Sequence, residues 1–366
     1  MSLTDLATPS VNCCANMELH QFIARLEEHG RLRRIDAEIR CKLELGAVAR
    51  EHSGPIFFEN IHGYPGTSIF TNGLSDIQCV AIALNIAADS SAPAILREIK
   101  HRASGCIQPT CVSSGQWAEN TLRGDAVDLF ELPVPQWHPS DGGPYLGTWH
   151  INVTNDPETG DRNVGVYRMQ LLGPRAVTVS TAPKSHLAIQ MAKAERRGQP
   201  LEMAVAIGVP ESVVMAASAA CPYGRDEYEL AGALEGDRIL ITPCQTTALQ
   251  VPASAEIVIE GTIKPGVRVS DGPYFDYAGT VNKNPNAFLF EVNSLSFRNH
   301  PIFRGTSVGR PGAEDHQLFA VLAASDLLDF HGRPSKQAAQ NLLVRHRLFK
   351  SFQFVGRLGT YFKRHN

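Results

Sequence analysis

Asn163-Val-Gly-Val-Tyr-Arg168 alternates small or polar residues with apolar ones, the pattern of a strand with one buried face. Successive side chains leave a strand on opposite faces, so Asn163 and Arg168 diverge if the strand is unbroken. A bulge or a strand end has to re-aim one of them if both serve one site. The same texture runs outward. Strands are expected over 147–154, 165–172, 176–180, 202–207, 255–263 and 289–297, with a turn at Asn155-Asp-Pro-Glu-Thr-Gly160. Helices are expected over 185–197 and 225–234. Many strands with few helices suggest an open or split barrel.

On either side of this core the pattern changes. Residues 1–16 are mostly small and polar and read as a loose tail. Leu19, Phe22, Ile23 and Leu26 form one stripe of a helix that begins at Met17 and ends at Gly30. A strand over 32–39, a helix over 43–52, a buried strand at Pro55-Ile-Phe-Phe58 and a turn at Gly63-Tyr-Pro-Gly66 follow, and 80–87 and 92–101 continue the mixed pattern. Pro133, Pro135, Pro139 and Pro144 with Gly142, Gly143 and Gly147 make a loop-rich crossing into the β core. Near the end, 315–328 and 338–352 read as helices. No acid follows Asp329, whereas Arg333, Lys336, Arg345, Arg347, Lys350, Arg357, Lys363 and Arg364 do. Interleaved Leu348, Phe349 and Phe352 suit a helix packed on its own or a sister subunit, which implies a homo-oligomer. An anionic membrane or a partner groove is the other reading of a basic amphipathic helix. The fold class is α+β: a flexible tail (1–16), an N-terminal α/β region (17–120), a β core (121–312) and a helical basic tail (313–366).

Composition bounds the function. With 366 residues and 43% hydrophobic content the chain buries a large core and is not disordered. A net charge of −3 gives no electrostatic case for nucleic acid. No apolar run reaches the roughly 18–20 residues of a spanning helix, and no signal peptide opens the chain, so a cytoplasmic protein without a transmembrane segment is expected. The eight cysteines form no CxxC pair. Cys106 and Cys111 lack two further close partners for a metal, and the cysteines read as buried or inert thiols.

Six side chains carry chemistry. Arg168 is a fixed cation with a planar fork of donors suited to carboxylate or phosphate. His186 offers an imidazole, Glu227 a carboxylate, and Asp271 and Asp276 bracket a Gly-Pro pair. An amide oxygen from Asn163, an imidazole and a carboxylate together can hold a divalent cation. A cation with two acids is equipment for binding an acid and moving a proton. Each has a bland reading beside it. A lone His packs in a core, a lone Glu is a helix-face charge, and Asp-Gly-Pro is an ordinary turn.

Order and wording sharpen these readings. Asn163-x4-Arg168, Lys184-Ser-His186, Asp226-Glu227-Tyr-Glu-Leu-Ala-Gly-Ala-Leu234, Val251-Pro-Ala-Ser-Ala-Glu-Ile-Val-Ile-Glu-Gly261 and Asp271-Gly-Pro-Tyr-Phe-Asp276 occur in this sequence. Together they resemble the UbiD family of reversible decarboxylases, which use prenylated FMN, over residues 17–312. The resemblance implies a split β-barrel of flavin-reductase-like type with the cofactor at its edge, and a flavin prenyltransferase as cofactor supplier. It implies a metal site at Asn163, His186 and Glu227, taking Mn2+ or Mg2+ against the cofactor phosphate, and K+ beside the backbone carbonyls of 215–218. It implies cofactor contacts at Asn163, Val164, Gly165, Arg168, Ser185, His186, Ser218 and Glu227. Gly165 would let the flavin approach. Arg168 matches the family's catalytic arginine and Asp276 its second acid; Asp271 stands where the first acid is usually Glu, one methylene longer. Glu260 reads as a structural strand-end charge. The family's C-terminal α/β domain, with its lysine near the cofactor phosphate, is expected to be absent after Gly312.

The reading that follows from the resemblance is a non-oxidative decarboxylase of a small aromatic, heteroaromatic or α,β-unsaturated carboxylic acid, reversible at high CO2. Arg168 would orient the carboxylate, and Asp276 or Asp271 would supply the proton that replaces CO2. A non-catalytic or partner-dependent subunit of a UbiD-like complex is the rival, and a plain FMN reductase explains the barrel without the acids.

Overall fold

The computed structural model describes residues 17–310 and 312–328. The first layer holds helices α1 (Leu19–Glu28), α2 (Glu44–Glu51), α3 (Ile77–Ala83) and α4 (Ala92–Ala103) and strands β1 (Arg33–Ile35), β2 (Ile56–Phe58) and β3 (Ser68–Thr71). Short strands β4 (Thr110–Cys111) and β5 (Asn120–Arg123) lead to β6 (Tyr145–Gly147), β7 (His150–Asn155), β8 (Arg162–Gly165), β9 (Met169–Gly173) and β10 (Ala176–Val179). Then come α5 (His186–Arg196), β11 (Leu201–Ile207), α6 (Glu211–Ser218) and α7 (Glu227–Glu235). Strands β12 (Leu240–Pro243), β13 (Gln250–Pro252), β14 (Ile257–Phe275), β15 (Val281–Phe297) and β16 (Ile302–Arg304) and helix α8 (Glu314–Ala324) complete the order.

Nine strands form one antiparallel sheet in the order β6-β9-β10-β15-β14-β11-β7-β8, with β5 also paired to β15. Its two ends, β6 and β8, are not joined, so the sheet is a curled half-barrel rather than a closed one. The spine is the hairpin of β14 and β15, whose 19 and 17 residues pair from Ile257↔Phe297 to Phe275↔Val281. A strand this long twists strongly, and register irregularities between Ile263/Arg268, Val269/Asp271 and Asp271/Tyr274 absorb the curvature. A small sheet, β1-β2-β3-β16, joins the N-terminal layer to the chain's late residues.

The sheet is buried on both faces, and β11 shows how. Met203, Val205 and Ile207 point into one core with Leu187, Met191, Ile259 and Phe290. Ala204 and Ala206 point the other way, into a core with Val213, Val214 and Tyr228. The small alanines allow helices α6 and α7 to lie close behind the sheet.

Several expectations stand in altered form. The stripe of Leu19, Phe22, Ile23 and Leu26 is the buried face of α1. The strand read over 32–39 shortens to Arg33–Ile35. The strand read over 165–172 is two strands with a break at 166–168. Asp271-Gly-Pro, readable as a turn, lies inside β14. Glu260 is not at a strand end but in mid-strand, fully buried, accepting the backbone N–H groups of Gln245, Thr246 and Thr247 and the hydroxyls of both threonines. The tail at 1–16, the helix at 338–352 and the docking residues Leu348, Phe349 and Phe352 lie outside the described residues.

One buried ion network ties the layers. Arg304 on β16 is 1% exposed. Its Nε donates to Glu211 Oε1 at 2.9 Å, and Nη1 and Nη2 fork onto Glu314 at 2.9 and 2.6 Å. The remaining acceptor positions are filled by Trp149 Nε1 on Glu211 and by the backbone N–H groups of Asn72 and Leu74 on Glu314. Phe70 and Trp149 cover the guanidinium at 5.0 and 4.7 Å. Arg304→Met would leave two carboxylates facing each other without water. Breaking a buried pair costs about 3–5 kcal/mol, and the unfolding free energy of this variant, read from urea denaturation, should fall by that amount.

Candidate active site

Three of the expected residues meet where two helices begin beside one strand. Ser185 caps α5, its Oγ accepting from Ala188 N, so His186 is the first helical residue. Asp226 caps α7 in the same way, accepting from Tyr228 N, so Glu227 is also a first residue. Both helix starts face β8, which runs antiparallel to β7 with Thr154↔Asn163, Val153↔Val164 and Asn152↔Gly165 in register. Glu227 Oε2 accepts the Val164 N–H at 2.7 Å, and Oε1 lies 3.6 Å from His186 Nδ1. That separation is too long for a hydrogen bond, and it suits two ligands of one cation with bonds of roughly 2.0–2.3 Å. Asn163 Nδ2 donates to Thr154 Oγ1 at 3.1 Å, which commits the nitrogen side of the amide.

The donor set therefore fits a divalent cation: imidazole nitrogen, carboxylate oxygen and amide oxygen. Among the described residues no three His, Cys, Asp or Glu side chains come together, so any third protein donor here would be an amide such as that of Asn163. The starts of two helices add partial positive charge, a setting for phosphate. His186 is held edge-on by the Tyr223 ring at 5.1 Å. Tyr223 also lines an open polar cleft of about 800 Å³, with Asp161, Arg162, Arg225 and Asp226.

Arg168 belongs to a second group. Strand β8 stops at Gly165 and β9 starts at Met169, so Arg168 lies in the break and escapes the alternation that would point it away. Its Nε donates to Asp271 Oδ1 at 2.7 Å and Nη2 lies 2.5 Å from the same oxygen. Thr178 Oγ1 donates to Asp271 Oδ2 at 2.7 Å. Asp271 is fully buried, and Tyr274 lies under the guanidinium at 5.0 Å. The shorter Asp thus reaches Arg168 without the methylene that Glu would add. The segment after it is clamped: Gly272 N donates to Gln170 Oε1, Gly142 N to Pro273 O and Phe275 N to Asp141 Oδ1. Burial raises the Asp141 carboxyl, against the pull of its backbone donors and of Arg50 and Arg168.

Tyr167 bridges the two groups. Its hydroxyl accepts from Leu187 N at 3.3 Å, at the start of α5, while its neighbour Arg168 serves Asp271. Burial raises its phenol, opposed by hydrogen bonds from Leu187, Asn163 and Ser185. Gly165 is explained by this ring: a Cβ there would come within 2.7 Å of Tyr167.

Among the described residues, Asp276 and Ser218 make no hydrogen bond to either group. Asp276 accepts from Ala278 N, Thr280 N and Asn282 Nδ2, all within its own turn. Ser218, expected as a cofactor contact, is the last residue of α6 and half-buried. Sequence reasoning missed Tyr167, Thr178 and Gln170. A signal existed for Thr178, a hydroxyl in the otherwise apolar run Ala-Val-Thr-Val.

The His186 wall depends on Asp156, whose burial raises its carboxyl but whose bonds from Lys193, Tyr223 and two backbone N–H groups overcome this and bring it to about 2. A carboxyl held below its unfolded value of roughly 3.9 stabilises the fold above that pH, and the contribution is lost as pH falls toward 2. The melting temperature should therefore drop between pH 4 and pH 2, and Asp156→Asn should melt lower at pH 6 with a shallower acid slope.

Residues 23–99 match the 3-octaprenyl-4-hydroxybenzoate carboxy-lyase N-terminal domain, and residues 110–311 match the carboxy-lyase Rift-related domain. A phenolic acid decarboxylase of Escherichia coli O157:H7 is 29% identical over 309 residues, covering 81% of this chain and 65% of the relative. One from Bacillus subtilis strain 168 is 28% identical over 362 residues, covering 95% and 76%. The chain thus spans about 65% of the length of the first of these relatives. Vanillic acid decarboxylase of Sedimentibacter hydroxybenzoicus in its closed form has a TM-score of 0.79 at 30% identity, over 83% of this chain and 67% of that one. An evolved dimeric form of the UbiD-class enzyme HmfF from Pelotomaculum thermopropionicum, in complex with prFMN, has a TM-score of 0.77 at 30% identity, over 84% and 70%. With both domains matched in order and the fold shared, the chain belongs to the UbiD family of carboxy-lyases.

Proposed function

We propose that the chain is a non-oxidative, reversible decarboxylase of an aromatic, heteroaromatic or α,β-unsaturated carboxylic acid, using prenylated FMN and a divalent metal. The observation that carries this reading is the pair of Arg168 and the buried Asp271, with Tyr167, the neighbour of Arg168, reaching the start of α5 where a cation-ready group of Asn163, His186 and Glu227 begins. The relatives named as phenolic acid decarboxylases and the neighbour bound to prFMN support it. The flavin-reductase-like form of the split barrel is part of the same proposal, supported by the open antiparallel sheet.

When bound, prenylated FMN supplies the electron sink for the departing CO2. Asn163, His186 and Glu227 would hold Mn2+ or Mg2+ and, through it, the cofactor phosphate, with the starts of α5 and α7 adding favourable dipoles. The last carbonyls of α6, at Ser218, are of the kind that takes a monovalent ion such as K+. Arg168 keeps donors beyond those spent on Asp271 and orients the substrate carboxylate. The proton that replaces CO2 would come from Asp276 or Asp271, of which Asp271 is the one in contact with Arg168. Thr178 fixes the Asp271 carboxyl by donating to its Oδ2.

Arg168→Lys keeps the charge and loses the fork. In protein made alongside a flavin prenyltransferase it should lose about 100-fold in kcat, the scale of a misplacement near 1 Å, while flavin stays bound. Near-parental turnover of phenolic acids would show that Arg168 only packs. Dialysis against a chelator should strip flavin together with metal, and Mn2+ should restore retention in the parent but not in His186→Ala. Unchanged flavin content after metal removal would sink the metal assignment.

A further inference from the structure

The break that aims Arg168 has to be held open by something, because a peptide group that leaves a ladder in a dry place must bond elsewhere. Asn152 does this. It lies on β7, with Val205 of β11 paired on one side and Gly165, the last residue of β8, on the other. Beyond Gly165 no carbonyl of β7 receives the chain. The side chain of Asn152 takes over: its Oδ1 accepts the Tyr167 N–H at 3.1 Å. The same oxygen is 2.9 Å from His150 Nε2, and Nδ2 faces the sulfurs of Met169 at 3.2 Å and Met203 at 3.7 Å.

The surroundings make a packing role a poor account of this residue. Asn152 is fully buried, as are His150, Met169 and Met203. An amide among thioethers and a ring costs free energy unless its polar atoms are used, and an apolar residue of equal volume would fill the space better. Burial lowers His150 to about 4, so the ring is neutral near pH 7 and has an N–H to give to Asn152 Oδ1. The acceptor is therefore fixed from one side by His150 and used on the other by Tyr167. The geometry matters because a slip of one residue at this point would send Arg168 to the opposite face of the sheet.

We infer that Asn152 is a positioning residue for the reaction: by capturing the Tyr167 amide it sets the break that delivers Arg168 to Asp271 and the Tyr167 ring to the start of α5. This rests on the reading of Arg168 as the group that orients substrate. Asn152→Leu keeps the volume and removes the acceptor, whereas Asn152→Asp keeps an acceptor oxygen opposite His150. With protein made alongside a flavin prenyltransferase and vanillic acid as the probe, Asn152→Leu should lose roughly 100-fold in kcat with flavin content unchanged. Amide exchange read by mass spectrometry should speed up in peptides over 163–170 and stay parental in β14 and β15. Asn152→Asp should recover most of both. Parental kcat and parental exchange in Asn152→Leu would overturn the inference. Should that variant fail to fold, a folded Asn152→Asp with fast exchange over 163–170 would overturn it as well. Arg168→Ala, measured in parallel, separates the two levels: full activity there defeats the functional reading, while the exchange data still decide whether Asn152 holds the break.

Discussion

A guanidinium with almost no water around it, Arg304, is the constraint on which the layers depend. Charge in such a place is tolerated only when every donor and acceptor is matched, so its partners must arrive together. Those partners come from distant parts of the chain: Glu211 opens α6, Glu314 opens α8, Trp149 precedes β7, and Asn72 and Leu74 follow β3 in the first layer. The network therefore fixes where α6 stands. Helix α7 packs on α6, and both pack on β8. The place of Glu227 beside Asn163 follows from that chain of contacts.

Much of the fold was legible from periodicity. The stripe from Leu19 to Leu26 gives α1, and the alternation at 202–207 gives β11, because each element faces cores with the matching period. What was hidden is hidden for physical reasons. Helix α6 is buried from Glu211 to Ala216, so it lacks the polar face that makes a helix visible in sequence. Asp271-Gly-Pro carries turn residues yet continues a strand, since a curling hairpin tolerates irregular register where a flat sheet would not. Glu260 looked like a strand end because nothing local announces the loop whose N–H groups it collects.

The candidate site was legible in its residue types and in two local signatures. Ser185-His186 and Asp226-Glu227 are each a capping residue followed by the first residue of a helix, a pattern that places the second side chain at a helix mouth. Types and caps do not give distance. Thr178 meets Asp271 across 93 positions and Glu227 meets Val164 across 63, and neither pairing has a trace in the local sequence. Tyr167 stood inside the quoted stretch, but its role depends on a strand break that alternation alone would not predict. The contacts of Asp276 lie within its own turn and are local.

The order of the sheet also governs how such a site comes into being. Strands β14 and β15 are neighbours in sequence and can zip as a hairpin, but β10 must find β15 across more than a hundred residues, with Ala176 opposite Glu291. Arg168 and Asp271 are themselves 103 positions apart. Long closures form late and slowly, since the loop entropy is spent before the contacts return it. During synthesis Arg168 leaves the ribosome well before its acid does, and until the hairpin docks the half-made sheet offers open strand edges to any neighbouring chain. The pairing of Arg168 with Asp271 is therefore among the last contacts to form, and a nascent chain stalled before β14 has the arginine without its acid.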